Sequence, residues 1–228
     1  MKILLTGVTG QVGWELKNQL LAQHEVVACD RTSLDLANPE AIPAQVKAIA
    51  PHLIINPAAY TAVDKAETES DLAYSINGVA PGALAQAAAE LKIPLIHVST
   101  DYVFSGQKGS PYLESDATAP LGVYGQSKLA GESAIRAVCD RHIILRTAWV
   151  YGTHGHGNFV KTMLRLGKDR PELRVVADQI GSPTWAQDIA IAIAELIPQL
   201  NGTATYGTYH FTNSGVASWY DLAVAVFE

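Results

Sequence analysis

The chain has 228 residues, a hydrophobic content of 48% and a formal net charge of −6 at pH 7. This length allows one sizeable α/β domain, or one domain with a small addition. The acidic balance and the lack of a basic block argue against nucleic acid and anionic membranes as partners. No apolar run is long enough to cross a bilayer or resembles a signal peptide.

The two cysteines indicate the cellular compartment. Cys29 and Cys139 are widely separated and fit no metal-ligand spacing. We expect reduced, mostly buried thiols rather than a disulfide. This expectation favours a cytoplasmic location.

The chain begins with a predicted strand, a glycine turn and a helix. The apolar residues 3–5 lead into Gly7, Gly10 and Gly13, and residues 14–21 carry apolar side chains at helical spacing. This layout is typical of the first unit of a dinucleotide-binding fold. The glycines would permit a sharp turn, a pyrophosphate close to the helix N-terminus and tight helix–strand packing. The spacing differs from G-x-G-x-x-G, and an ordinary strand–helix turn is the alternative.

A second predicted strand, residues 25–29, ends at Asp30. An acidic residue about 20 positions after the glycine loop is where an adenosine ribose is usually bound, which favours NAD. Arg31 follows directly, and its cation could instead meet the 2′-phosphate of NADP. The pair therefore leaves both cofactors open, and a simple polar loop is the third interpretation.

Further elements alternate between helix and strand. We predict helices at 38–50, 71–92 (interrupted near Pro81 and Gly82), 124–138, 159–167, 185–197 and from about 218, strands at 52–56, 94–98, 142–147, 174–176 and 208–211, and loops at 61–69 and 105–123. The alternation predicts an α/β fold, a Rossmann-type doubly wound parallel sheet. We expect a nucleotide-binding domain at 1–150 and a smaller, mainly substrate-binding part at 151–228.

Tyr124 and Lys128 lie four residues apart at the start of a predicted helix, so they share one face. A nearby ammonium favours the phenolate, and we expect Lys128 to lower the pKa of Tyr124. Tyr124 could then protonate a carbonyl oxygen as hydride reaches the carbon. Thr100, at the end of the fourth strand, could donate to the same oxygen. A solvated helix face is the alternative, but the preceding nucleotide loop and Ser-Thr strand end favour catalysis.

Five motifs together resemble the dTDP-4-dehydrorhamnose reductases, a family of extended short-chain dehydrogenase/reductases. They are Thr-Gly-Val-Thr-Gly-Gln-Val-Gly at 6–13, Asn-Pro-Ala-Ala-Tyr-Thr-Ala-Val-Asp-Lys-Ala-Glu at 56–67, Ser-Thr-Asp-Tyr-Val-Phe at 99–104, Tyr-x-x-x-Lys at 124–128 and Arg-Thr-Ala-Trp-Val-Tyr-Gly at 146–152. The similarity covers essentially the whole chain. It implies that NADPH or NADH reduces the C4 ketone of dTDP-4-dehydro-L-rhamnose, a step towards cell-surface polysaccharide such as the O-antigen.

The resemblance also implies roles for individual residues. Thr100, Tyr124 and Lys128 would be catalytic, and Lys128 would also hold the nicotinamide ribose. Thr100, Asp101, Tyr124 and Trp149 would contact the sugar. The dinucleotide would contact Gly10, Gln11, Val12, Asp30, Asp35, Leu36, Ala58, Ala59 and Tyr60, beside Gly7, Gly13, Arg31, Tyr124 and Lys128.

Several features bear on the type of reaction. Related sugar-nucleotide dehydratases carry Thr-Asp-Glu after the fourth strand, whereas this chain has Tyr102 after Asp101, which favours reduction over elimination.

Trp149 could be a core residue or could stack on a sugar or base. His154 and His156 lack a third nearby ligand, so we predict no metal site. Mg²⁺ is implied by the family alone.

Other functions stay open. A different sugar-nucleotide epimerase or reductase would use the same fold. One relative of the family is a regulatory subunit of methionine adenosyltransferase, and a similar role would make this chain a non-catalytic protein.

The sequence ends within a predicted helix while the family continues, so we expect a C-terminally truncated chain. A homodimer is also left open.

Overall fold

The computed structural model describes residues 1–200, 202 and 205–228. Its strands are β1 Lys2–Leu5, β2 Glu25–Ala28, β3 Leu53–Asn56, β4 Leu95–Thr100, β5 His142–Thr147, β6 Val150–Tyr151, β7 Ile180–Gly181, β8 Thr184–Trp185, β9 Gly207–His210 and β10 Ala217–Ser218. Six of them form one sheet in the order β2-β1-β3-β4-β5-β9. Every pairing in this sheet is parallel, as predicted.

Helices connect the strands. They are α1 Gln11–Leu21, α2 Ile42–Ile49, α3 Val63–Ala66, α4 Ser70–Tyr74, α5 Ala80–Leu91, α6 Val123–Val138, α7 Phe159–Asp169, α8 Ala186–Leu196 and α9 Trp219–Phe227. None of the helices in the described ranges is both long and apolar enough to cross a bilayer.

The sheet is buried on both faces. Successive residues of a strand point to opposite sides, so Ile3 and Leu5 of β1 join one apolar cluster and Leu4 joins the other. Ile3 and Leu5 share their cluster with residues of α1 and α8, such as Leu16 and Ile189. Residues of α2, α5 and α6 pack in the cluster of Leu4. Helices on both faces confirm the doubly wound arrangement.

Some predicted elements differ from those observed. Residues 174–176 form no strand, and residues 63–66, predicted as loop, form the short helix α3. The predicted helix at 71–92 breaks at Ser75–Val79, where the backbone forms a π-type turn. Pro81 lies in the first turn of α5, directly after the π-type turn, so the interruption predicted near Pro81 and Gly82 lies close to the observed one.

Two elements beyond residue 150 belong to the main sheet layer. Strand β9 pairs with β5, and α8 packs beside α1. The remaining elements form two small sheets, β6 with β8 and β7 with β10, and the contacting pair α7 and α9. These small sheets were not predicted. The division into domains at about residue 150 stays a prediction.

At Gly13, helix α1 packs closely against the backbone of the loop that follows β1. A Cβ at Gly13 would lie 2.1 Å from the carbonyl oxygen of Gly7, a backbone atom that cannot move aside cheaply. We predict that Gly13→Ala lowers the free energy of unfolding by roughly 1–3 kcal/mol, the usual cost of forced overpacking. Urea denaturation measures this change.

Gly109→Ala is the matched control, because a Cβ there would meet no atom within 4 Å. Its stability should stay within about 0.5 kcal/mol of the parent, as for most surface substitutions. Equal stability of the two variants would contradict the close contact at Gly13.

Candidate active site

A cleft of about 880 Å³ lies where the strands of the sheet end. The predicted site residues that line it are Gly7, Gly10, Gln11, Val12, Gly13, Asp30, Arg31, Asp35, Leu36, Ala58, Ala59, Tyr60, Thr100, Asp101, Tyr124, Lys128 and Trp149. This is the complete set predicted from the sequence. The structure therefore brings these residues together, while the role of each stays a prediction.

The glycine loop leaves the start of α1 open to the cleft. Gly7 adopts a φ of 60°, a conformation that favours glycine, and its carbonyl accepts from the Gly10 N–H. Gly10 is the N-cap of α1, and it supplies no side chain to cap the helix. The first turn of α1 contains no acidic residue. These backbone N–H groups and the helix dipole suit a phosphate.

Asp30 is fixed by the turn that follows β2. Its Oδ1 accepts hydrogen bonds from the backbone N–H and the hydroxyl of both Thr32 and Ser33. These bonds, with the Thr32 hydroxyl first, lower the pKa of Asp30 to about 2. Within the described residues, Oδ2 has no hydrogen bond and Arg31 has no ion pair. An ionised carboxylate and a free guanidinium thus stand side by side at the cleft.

Ala58 and Tyr60 form the wall opposite the glycine loop. A Cβ at Gly7 would lie 2.8 Å from the Cα of Ala58, so the two loops are in close contact. The Tyr60 N–H donates to Asn77 Oδ1, and Asn77 Nδ2 donates back to the Tyr60 carbonyl. The π-type turn at Ser75–Val79 supplies Asn77 and thereby fixes this wall. The Tyr60 hydroxyl donates to Glu69, and this bond raises the pKa of Tyr60 to about 12.

Thr100, Tyr124 and Lys128 line the cleft between β4 and α6. Thr100 is the last residue of β4, and the other two lie one turn apart at the start of α6. Lys128 is only 2% exposed, and its Nζ donates to the carbonyl of Val98 over 2.8 Å. Burial lowers the pKa of Lys128 to about 8, against the opposing effect of the Glu132 carboxylate.

The expected effect of Lys128 on Tyr124 is wrong for this structure. Burial raises the pKa of Tyr124 above its usual value, and the hydrogen bond with Thr100 only partly opposes it. The negative charge of Asp101 acts in the same direction as burial. The hydroxyl of Tyr124 is therefore firmly protonated at neutral pH, which suits a proton donor.

Asp101 lies directly after Thr100, the last residue of β4. Its Oδ1 accepts from the hydroxyl of Thr100 over 3.1 Å. Burial raises the pKa of Asp101 to about 6, although the bond from Thr100 opposes this. The ring of the next residue, Tyr102, meets the ring of Tyr124 edge to face, with centroids 5.4 Å apart. Asp101 can thus accept or donate a hydrogen bond near neutral pH.

Trp149 lines the other end of the cleft in an unusual backbone conformation, with a φ of 50°. Its ring stacks on that of Trp219, with centroids 3.6 Å apart and planes 11° apart. It also covers Gly181, where a Cβ would lie 2.6 Å from the ring. Trp149 is half-buried rather than fully exposed, and its role in stacking on a ligand stays a prediction.

Sequence reasoning missed several lining residues. Trp219 and the segment 155–159 also face the cleft. Gln11 links this segment to the glycine loop, since its Oε1 accepts from Asn158 Nδ2 and its Nε2 donates to the Val150 carbonyl. Trp149, a predicted site residue, lies shortly before this segment in the sequence, but no local pattern identified Trp219.

The two loop histidines lie in different surroundings. The ring of His154 stacks on Trp14 at a centroid distance of 3.2 Å, and His156 lines the cleft. Among the residues that the structure describes, no group of three or more His, Cys, Asp or Glu side chains could hold a metal ion. Mg²⁺ stays an implication of the family resemblance.

Comparison with known proteins decides the family. The sequence model of the RmlD substrate binding domain matches residues 1–228. The dTDP-4-dehydrorhamnose reductase of Escherichia coli K12 is 50% identical over 233 residues, an alignment that covers 100% of this chain and 78% of that protein. The chain belongs to the dTDP-4-dehydrorhamnose reductase family.

Solved structures of the family have the same fold. A dTDP-4-dehydrorhamnose reductase from Clostridium acetobutylicum is 44% identical, with a TM-score of 0.94, and the match covers 100% of this chain and 79% of that one. The reductase from Bacillus anthracis, solved in complex with NADP, is 43% identical with a TM-score of 0.93, and the match covers 99% and 80%. The predicted family and the Rossmann-type fold are thus confirmed.

The raised pKa of Asp101 predicts a pH-dependent stability. The folded chain holds this proton more tightly than the unfolded chain, in which the carboxyl has the ordinary aspartate pKa of about 3.9. This contribution is therefore present at low pH and is lost as the pH rises through about 6. We predict that Asp101→Asn raises the free energy of unfolding at pH 8 by about 1–2 kcal/mol.

Denaturant titrations at several pH values check this prediction. The gain should shrink as the pH falls towards about 4, where the carboxyl is largely protonated in both states. A gain that does not vary with pH would show that the buried carboxylate is not its cause.

Proposed function

We propose that this chain reduces the C4 ketone of dTDP-4-dehydro-L-rhamnose to dTDP-L-rhamnose with NADPH or NADH. The observation that carries the proposal is the cleft in which Thr100, Tyr124 and Lys128 adjoin the glycine loop. The Escherichia coli relative, half identical over the whole chain, bears the name of this reductase.

The residues present fit a nicotinamide dinucleotide. The open N-terminus of α1 and Gln11 would hold the pyrophosphate, and Asp30 with Arg31 would hold the adenosine ribose and any 2′-phosphate. Ala58 and Ala59 offer backbone without bulk, and Lys128 would bind the nicotinamide ribose. When bound, the reduced dinucleotide supplies the hydride for the carbonyl carbon.

The chain's own side chains supply the proton and the orientation. Tyr124 keeps its proton in the buried cleft and donates it to the carbonyl oxygen. Thr100 donates a second hydrogen bond to that oxygen, which stabilises the charge that develops there. A protonated Lys128, one helical turn from Tyr124, would stabilise the resulting phenolate, which takes up a proton from solvent before the next turnover.

The sugar nucleotide would lie towards Asp101, Trp149 and Trp219. Asp101 would bind a sugar hydroxyl, and the Trp149 ring would contact the apolar face of the sugar. Tyr102 stands where a dehydratase has Glu, so this cleft lacks the second acid–base group that elimination requires. Reduction is therefore the reaction that the set of side chains favours.

Other parts of the proposal concern the whole molecule. We infer that the protein works in the cytoplasm, because Cys29 and Cys139 are both free and buried. We also predict that the protein forms a homodimer and that residues 151–228 bind substrate. Analytical ultracentrifugation of the purified chain checks the first of these.

Tyr124→Phe tests the proposed proton donor. We predict that it lowers substrate-dependent oxidation of NADPH by roughly 100-fold or more, the usual contribution of a general acid. Loss of absorbance by the reduced nicotinamide measures the rate. Tyr102→Phe is the matched control, since its ring adjoins Tyr124 but its hydroxyl has no proposed role; it should retain the rate. Full activity of Tyr124→Phe would rule out this donor.

Arg31→Ala tests the choice of dinucleotide. A guanidinium that binds a 2′-phosphate matters for NADPH alone, so we predict a loss of NADPH affinity of roughly tenfold and little change for NADH. Fluorescence titration of each dinucleotide gives both dissociation constants. Asp30→Asn is the reciprocal variant and should weaken NADH more. Equal losses for both dinucleotides in Arg31→Ala would contradict a phosphate contact.

A further inference from the structure

A buried series of hydrogen-bonding side chains runs beneath the cleft. Thr6 Oγ1 donates to Asn56 Oδ1 over 2.6 Å, and Asn56 Nδ2 lies 3.0 Å from Nδ1 of His97. Nε2 of His97 lies 3.3 Å from Nζ of Lys128. Asn56 and His97 are fully buried, while Thr6 and Lys128 are each 2% exposed. The series connects the end of β1, through β3 and β4, to α6.

His97 is a neutral ring in this environment. Burial, followed by the charge of Lys128, lowers the pKa of His97 well below its usual value. A neutral imidazole has one nitrogen that donates and one that accepts. Because Asn56 contacts Nδ1 and Lys128 contacts Nε2, the role of one nitrogen fixes the role of the other. His97 therefore couples the amide of Asn56 to the amine of Lys128.

Within the function proposed above, we propose that His97 is a positioning residue for Lys128. With Asn56 and Thr6 it holds Nζ in place, and its tautomer follows the charge of the lysine. We call Thr6, Asn56 and His97 the lysine relay. Apart from Lys128, the side chains that make these three contacts have no role in the proposed reaction.

The relay has one consistent hydrogen-bond pattern for each charge state. The arrangement found, with Asn56 Nδ2 towards Nδ1, places the ring proton on Nε2, which suits a neutral amine. An ammonium at Lys128 needs Nε2 of His97 as a hydrogen-bond acceptor, so the ring proton then lies on Nδ1. The Asn56 amide flips in this state, so that its oxygen rather than Nδ2 faces Nδ1 and accepts that proton's hydrogen bond. The two ends of the amide have nearly the same shape, so the core accommodates both.

The proton balance of the change is simple. His97 carries one ring proton in both patterns, and Lys128 carries three protons as the ammonium and two as the amine. One proton in total therefore leaves the relay and Lys128 when the lysine is neutralised. In the neutral pattern Thr6 donates its hydroxyl proton to Asn56, and in the charged pattern it accepts from the amide.

Other ionisable groups surround Lys128. Glu132 on α6 acts on Lys128 electrostatically, and Tyr124 on α6 and Asp101 after β4 line the same cleft. Glu132 already accepts from Ser99, Arg136 and Arg146. Asp101 titrates at a lower pH than Lys128, and the pKa of Tyr124 is raised above its usual value. A tautomer change centred near pH 8 therefore reports Lys128.

Nitrogen NMR of the full chain with ¹⁵N-labelled histidine tests the relay without substrate. Ring nitrogens with and without a proton differ in chemical shift, and His97→Gln identifies the His97 signals. We expect a neutral ring throughout, with the proton on Nδ1 well below the Lys128 pKa of about 8 and on Nε2 well above it. Lys128→Met should show one tautomer at every pH.

Three results would overturn the proposal. They are a doubly protonated ring near neutral pH, the same tautomer on both sides of the lysine titration, and a pH-dependent change that persists in Lys128→Met. The NMR measurement needs no turnover, so it tests the relay even if the sugar proves not to be a substrate.

Kinetics of relay variants form the second arm. His97→Leu removes both ring contacts at similar volume, and we expect kcat to fall roughly tenfold, the effect of one lost hydrogen bond to a charged group. The KM for the dinucleotide should change less, because Lys128 supplies only one of the proposed dinucleotide contacts. His97→Gln carries an amide that reaches the Nε2 position and should restore most of kcat. His142→Gln, on the neighbouring strand β5, should match the parent.

The second arm also separates positioning from stability. Asn56→Leu should lower kcat in the parent but add little in the His97→Leu background, because both act through one contact to Lys128. Near-UV circular dichroism checks that each variant is folded. Independent effects of the two substitutions, or no rescue by Gln in a folded variant, would overturn the positioning role.

Discussion

A buried ion pair holds α6 on the sheet, and the active site depends on it. Glu132 is fully buried, and Arg146 of β5 donates to both of its carboxylate oxygens, at 2.9 and 2.7 Å. Ser99 of β4 donates to the same carboxylate. Burial alone would raise the pKa of Glu132, but these bonds from Arg146 and Ser99 outweigh it and hold the pKa below its usual value. Such a pair matters for position more than for net stability.

The position of α6 sets the chemistry of the cleft. Glu132 lies one turn after Lys128 and two turns after Tyr124, so anchoring Glu132 to β4 and β5 fixes where both residues lie relative to β4. The same helix contacts α5 and the π-type turn, which carries Asn77 to the wall of the nucleotide pocket. One helix therefore positions Tyr124, the proposed proton donor, relative to the rest of the cleft.

Much of the site could be predicted because its signals are local. Gly7, Gly10 and Gly13 are close in sequence, and Tyr124 and Lys128 are one helical turn apart. Contacts between distant segments gave no such signal, which is why Trp219 and the pairing of Asn56 with His97 were missed. The pKa of Tyr124 was predicted in the wrong direction, since the sequence shows a neighbouring cation but not the depth of burial.

The fold was predictable to a similar extent. Apolar runs identified β1, β3, β4 and β5, because strands buried on both faces are apolar throughout. Residues 174–176 carry a β-branched pair but form no strand, since a strand also needs a partner that only the tertiary structure supplies. Strand β9 was predicted near its observed position, but its place beside β5 was not.

The stacked indoles of Trp149 and Trp219 give the cleft an optical property. Two parallel indole rings with centroids 3.6 Å apart couple their excited states, and both rings line the cleft. The left-handed backbone of Trp149 holds one ring and the start of α9 holds the other, so two separate segments of the chain set their relative angle. The protein thus contains its own chromophore pair at the cleft, which circular dichroism and fluorescence can detect.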